Sequence, residues 1–155
     1  MIVEAGLQRE AVRELLLKVK PSEAFIPNGQ QERFMLEVGR GRYRHYGLLG
    51  GNGCGKTAVL ANIVCQIILG KHGWLADVEG LPLFESWPYP KVAWLLGTHS
   101  NLQDGGAIYD NFHKYFPPGR FTEEKQGQQY TSVYKFPGYE WVIRAWSYYQ
   151  DPKEV

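Results

Sequence analysis

Gly50-Gly51-Asn52-Gly53-Cys54-Gly55-Lys56-Thr57 decides the reading of this chain. The octet satisfies the pattern GxxxxGK[ST] in full. Backbone N–H groups wrap a phosphate only where no side chain blocks the approach, and four glycines in the octet supply that access. A helix opening at Lys56 aims its unpaired N–H groups and its positive dipole end at the anion. In this pattern Lys56 bridges the β- and γ-phosphates of ATP, and is the one catalytic candidate. Thr57 offers its hydroxyl oxygen to Mg²⁺. The nucleotide-binding candidates are therefore Gly50, Gly51, Asn52, Gly53, Cys54, Gly55, Lys56, Thr57 and Ala58. The competing reading is a glycine turn that only joins a strand to a helix.

The flanks decide between the two. Tyr43–Leu49 reads as an apolar strand running into the loop, and Lys56–Leu69 as a long apolar helix closed by Gly70. Upstream, Glu4–Lys20 reads as an amphipathic helix stopped by Pro21. Gln30–Val38 reads as a second helix, with Phe34 and Leu36 on its buried side. Downstream, His72–Pro90 is rich in Gly and Pro and reads as an irregular loop. Lys91–Gly97 is apolar at most positions, as a strand buried on both faces would be. A helix is expected from Ser100 to Tyr115, weakened by Gly105-Gly106. Thr131–Phe136 and Tyr139–Tyr148 read as strands joined by a Pro137-Gly138 type II turn. Strand, glycine loop, helix, strand, helix is α/β order. It predicts a three-layer P-loop NTPase core with a mostly parallel sheet. An outer N-terminal helix and linker (1–24) precede the ATPase portion (25–155).

Composition narrows the partners. The 155 residues carry 17 Lys and Arg against 16 Asp and Glu, a net charge of +1, so no global polyanion-binding charge exists. No apolar run is long enough for a bilayer span and the N-terminus lacks a secretory pattern. Two cysteines, Cys54 and Cys65, suit a reducing compartment, so a cytoplasmic location is expected. Cys54 stands at a helix N-terminus, which lowers a thiol pKa; it is a reactive thiol or a small residue filling a tight turn. The histidines have no metal-ligand spacing. Arg40, Arg42 and Arg44 form a basic run, either a contact to DNA phosphate or a neighbouring subunit's nucleotide, or a solvated loop. Trp74, Trp87, Tyr89 and Trp94 either stack bases or pack the core.

A P-loop hydrolase also needs an acidic strand end, with an Asp for the Mg²⁺ shell and a Glu to orient water. The aspartates are Asp77, Asp104, Asp110 and Asp151, and none follows an apolar strand in the right setting. The expectation is a chain that stops before that strand, with negligible ATP hydrolysis of its own.

The ordered set of segments resembles the large terminase subunits of tailed bacteriophages, the ATP-driven DNA-packaging motors. Pro27 to Phe34 looks like the family's upstream segment, in which a Gln reads adenine, and Gln31 fits that role by its spacing to Phe34. Tyr46 to Thr57 is similar to the family's strand and GGNxxGKT loop. Lys91 to His99, with the helix ending at Tyr115-Phe116-Pro117, looks like the next strand and helix. Trp141 to Asp151 resembles the strand that precedes the acidic one. The loop carries no arginine where some terminases have one, so the arginine finger is not assigned. The resemblance implies ATP and Mg²⁺ as cofactors. It implies double-stranded DNA, a small terminase subunit and a portal as partners, and a homo-oligomer. Two other readings stay open. A P-loop small-molecule kinase is disfavoured by the fifty or so residues before the loop. A non-catalytic nucleotide-binding or assembly module would make the missing carboxylates real.

Overall fold

The computed structural model describes residues 12, 15, 22–51, 53–117, 119–125 and 130–148. The expected Glu4–Lys20 helix lies outside these residues except for Val12 and Leu15, both helical and exposed.

Helix α1, Gly29–Arg40, begins at a complete capping box. The Asn28 side chain accepts from the Gln30 and Gln31 N–H groups, and the Gln31 side chain returns a bond to the Asn28 N–H. Gly41 closes the helix at φ 65°, a left-handed position that favours glycine. Met35, Val38 and Gly39 form its buried face, while Phe34 and Leu36, the expected buried side, are half-buried and pack against the core. Helix α2, Lys56–Leu69, has the bounds read from sequence. Its apolar side chains supply Val59, Ala61, Ile63, Cys65 and Ile68 to the core. Gln66, fully buried within it, pairs both amide ends with the His72 backbone at 3.0 and 3.2 Å and anchors the chain that follows.

The expected irregular stretch holds a 3₁₀ turn, Gly73–Leu75, and a one-turn helix α3, Pro82–Glu85, with proline at its first position. Strand β1 spans Val92–Gly97. The single helix expected next is two: α4, His99–Leu102, and α5, Ala107–Tyr115. They break at Gly105-Gly106, where a Cβ on Gly106 would sit 2.3 Å from the Ser100 carbonyl oxygen. Strands β2 (Thr122–Glu124), β3 (Val133–Phe136) and β4 (Trp141–Ser147) complete the described elements. The β3–β4 turn has its Tyr139 N–H on the Phe136 carbonyl and Gly138 at φ 84°, as a type II Pro-Gly turn requires.

The four strands form one sheet in the order β1-β4-β3-β2. Only β1 and β4 are parallel, with Val92 opposite Val142 and Gly97 opposite Ser147; the other two pairs are antiparallel. The fold is therefore mixed α/β, and the described sheet is mostly antiparallel where a mostly parallel one was expected. The cause is the Pro137-Gly138 hairpin, which returns the chain directly beside β3. Trp141, Ile143 and Ala145 of β4, with Tyr134 and Phe136 of β3, pack inward in one core with α2 and α5. Glu123 of β2 accepts the Thr131 hydroxyl at 3.0 Å and lies 3.0 Å from His113 Nε2 of α5.

On the opposite sheet face, β1 is uncovered among the described residues, whereas Val133 of β3 is buried there. Val92, Trp94 and Leu96 are 47 %, 60 % and 55 % exposed, which corrects the expectation of a strand covered on both faces, as far as the described residues go. An uninterrupted apolar sequence does not reveal which of its faces finds a partner. A second correction concerns Tyr43–Leu49. It is no strand, none of the four strands pairs with it, and Leu49 is 97 % exposed. The Tyr46 hydroxyl instead accepts the Tyr43 N–H at 3.0 Å, a local bond that takes up a group a ladder would need.

Burial has a consequence in alkali. It pushes the Cys65 thiol from 9.0 up to about 12, against a smaller opposing effect of its bond with Ser22. Burial, then the Glu123 charge, raises the Tyr134 hydroxyl in the same direction. The folded chain holds these protons to higher pH than the unfolded chain does. Their contribution to stability is complete below pH 9.0 and is lost as pH rises towards about 12. The thermal midpoint is expected to fall across that window, less steeply in Cys65→Ala. A midpoint flat with pH there would contradict the burial of these groups.

Candidate functional site

The glycine loop meets α2 at Gly55, which caps the helix at φ 78° and ψ 22°. No side chain caps this end, in contrast to α1. The first intrahelical bond runs from the Val59 N–H to the Gly55 carbonyl at 3.0 Å. The N–H groups of Lys56, Thr57 and Ala58 thus have no acceptor within the helix. A Cβ added to Gly51 or Gly53 would meet nothing within 4 Å, so the space around the loop is open. Open backbone, unspent donors and a helix dipole together suit an anion the size of a phosphate.

Lys56 folds back over this mouth. Its Nζ donates to the Gly50 carbonyl at 2.8 Å and to the Gly51 carbonyl at 2.7 Å, and lies 3.6 Å from Cys54 Sγ. The ammonium thus belongs to the loop, held by weak acceptors that a phosphate oxygen would outcompete. Thr57, half-buried on the next position, makes no side-chain hydrogen bond among the described residues, leaving its hydroxyl available to a cation. Cys54 is exposed and free, and the Cys54 sulfur fills space beside Gly50, where a Cβ would meet it at 2.9 Å. Asn52 lies outside the described residues.

Gln31 reaches the same place from α1. Its Oε1 accepts the Asn28 N–H at 3.0 Å and its Nε2 donates to the Cys54 carbonyl at 3.2 Å. The structure brings Gln31, singled out through the family resemblance, to the loop through the loop backbone. The capping-box signature, Asn28 followed by Gln31, is the local signal for what its oxygen does.

The basic run divides. Arg40 pairs with Glu37 one turn earlier on α1. Arg42 and Arg44 are exposed and have no ion-pair partner among the described residues. Arg44 lines a cavity of about 510 Å³ with Tyr43, Tyr46, Trp87 and Tyr89. The four aromatics singled out in the sequence do not share one surface. Trp74 and Trp87 pack against the core, Tyr89 joins Trp87 edge-to-face, and Trp94 pairs with Trp146 on the sheet face where β1 is uncovered.

No group of three or more His, Cys, Asp or Glu that could hold a metal occurs among the described residues. Asp77, Asp104 and Asp110 are exposed, and Asp151 lies outside the described residues. No described helix is long and apolar enough to cross a membrane. Against models of known families, curated proteins and solved structures, the chain finds no match.

Proposed function

We propose that this chain is the ATP-binding portion of a terminase-like ATPase that powers packaging of double-stranded DNA into phage capsids. The observation that carries the nucleotide part is the uncapped N-terminus of α2, opening from the glycine loop with the Lys56 ammonium beside it. The ordered resemblance of the flanking segments supports the rest. In this reading the loop belongs to a three-layer P-loop core. Residues Gly50 to Ala58 present N–H groups to the phosphates, and Lys56 leaves the Gly50 and Gly51 carbonyls to pair with the β- and γ-phosphate oxygens. Thr57 supplies an oxygen to Mg²⁺, which screens phosphate charge when bound. Arg42 and Arg44, without an ion-pair partner among the described residues, are the candidates for contact with DNA phosphate or a neighbouring subunit's nucleotide. A small terminase subunit, a portal and further copies of the chain are the remaining partners of this reading.

Calorimetric titration of the full chain with Mg·ADP and Mg·ATP tests it. Saturable binding is expected, weaker than micromolar, because no acidic strand end is assigned to complete the Mg²⁺ shell. The absence of any saturable binding would overturn the nucleotide reading. Steady-state ATP hydrolysis at background level is expected; turnover lost in Lys56→Ala would show that the carboxylates are present after all.

A further inference from the structure

A side chain that reads adenine needs a donor and an acceptor side by side and free for the base edge. The Gln31 amide is not arranged that way. One end is tied to the Asn28 N–H and the other to the Cys54 carbonyl, at 3.0 and 3.2 Å. It also stands too close to the phosphate cradle. A Cβ on Gly55 would come within 2.6 Å of Gln31 Nε2, whereas a nucleotide's ribose and α-phosphate separate its base from the cradle.

We propose that Gln31 is a positioning residue that braces the phosphate loop and does not distinguish one base from another. For its ligand this inference rests on the nucleotide reading above. The physical argument is the peptide plane. In a trans peptide the C=O and the following N–H point in opposite directions, and no described peptide bond is cis. Holding the Cys54 carbonyl against α1 therefore fixes the direction of the Gly55 N–H, which has no hydrogen bond among the described residues. The brace has a rigid base, because the capping box sets the Gln31 rotamer. Lys56 secures the other side of the loop through Gly50 and Gly51. Of the two contacts, the Gln31 bond can persist when phosphate binds, so it holds the loop before and after the ligand arrives, which lowers the ordering cost of binding.

Two substitutions separate the roles. Gln31→Glu keeps an oxygen for the Asn28 N–H and sets an acceptor against the Cys54 carbonyl. Gln31→Met keeps the length, removes both bonds and adds no charge. Affinity for Mg·ADP and Mg·GDP is measured by calorimetry, and amide hydrogen exchange at Gly53, Gly55 and Lys56 is followed in the ligand-free chain. Both variants are expected to bind both nucleotides about tenfold more weakly, the worth of one hydrogen bond at this kind of site, with the ADP:GDP ratio unchanged. Exchange at Gly55 and Lys56 is expected to quicken in both. A loss confined to the adenine nucleotide would overturn the brace in favour of a base reader. Unchanged affinity with unchanged exchange would overturn it too. Should the unaltered chain bind neither nucleotide, the nucleotide reading falls, and the exchange measurement alone still decides whether Gln31 braces the loop.

Discussion

If the proposed nucleotide reading holds, Lys56→Ala is expected to bind Mg·ATP at least about a hundredfold more weakly than the unaltered chain, a loss of about 3 kcal/mol of charge-assisted hydrogen bonding. The ammonium already sits at the loop, 2.7–2.8 Å from two backbone carbonyls. Moving from neutral carbonyls to anionic phosphate oxygens adds the attraction of opposite charges to each bond. Alanine removes that gain and leaves the N–H groups of α2 to bind alone. The fold should be little affected, because Gly50 and Gly51 are exposed and their carbonyls turn to water. Calorimetry and a thermal melt on the same sample make the check. Undiminished affinity in Lys56→Ala would remove the loop from the binding site. A collapse of the melt would instead make Lys56 a structural residue.

The second large effect is on stability. Phe116 is 1 % exposed, directly after α5. Its ring stacks on Phe112 at 5.2 Å and meets Phe136 and Phe121 at 5.1 and 6.0 Å. It therefore joins α5 to β3 and to the chain entering β2. Phe116→Ala is expected to cost about 3–5 kcal/mol, as a large cavity opens where three rings converge. Domains of this size are stable by about 5–15 kcal/mol, so much of the folded population is at risk. Leu96→Ala provides the contrast. It removes a side chain of comparable kind from the uncovered face of β1, 55 % exposed, and should cost less than about 1 kcal/mol. Denaturant unfolding of the two variants measures the difference, and equal costs would mean that this face is covered in solution.

These two residues also mark how far the sequence could be read. Helix α2 was legible because its signals are local: a glycine cluster before it, a helix-compatible run apolar but for Asn62 and Gln66, and Gly70 after it. The β3–β4 hairpin was legible for the same reason, through Pro137-Gly138. Strand β2 was not. Thr122-Glu123-Glu124 has no apolar alternation, and it is a strand because β3 pairs with it and because Glu123 finds Thr131 and His113. The segment 43–49 failed in the opposite sense. Its composition suits a strand, yet a strand exists only beside another, and among the described residues none stands next to it.

By itself the sequence determined the glycine turn, the helix behind it and the β3–β4 hairpin. Each follows from residues within a few positions of one another, whose backbone preferences act without distant contacts. Only the tertiary structure decided that two of the three strand pairings are antiparallel, that one apolar face of β1 is uncovered among the described residues, and that the Gln31 amide ends on the Cys54 carbonyl. Those outcomes depend on which distant groups meet. Twenty-three positions separate Gln31 from Cys54, and no local pattern specifies what fills the space between them.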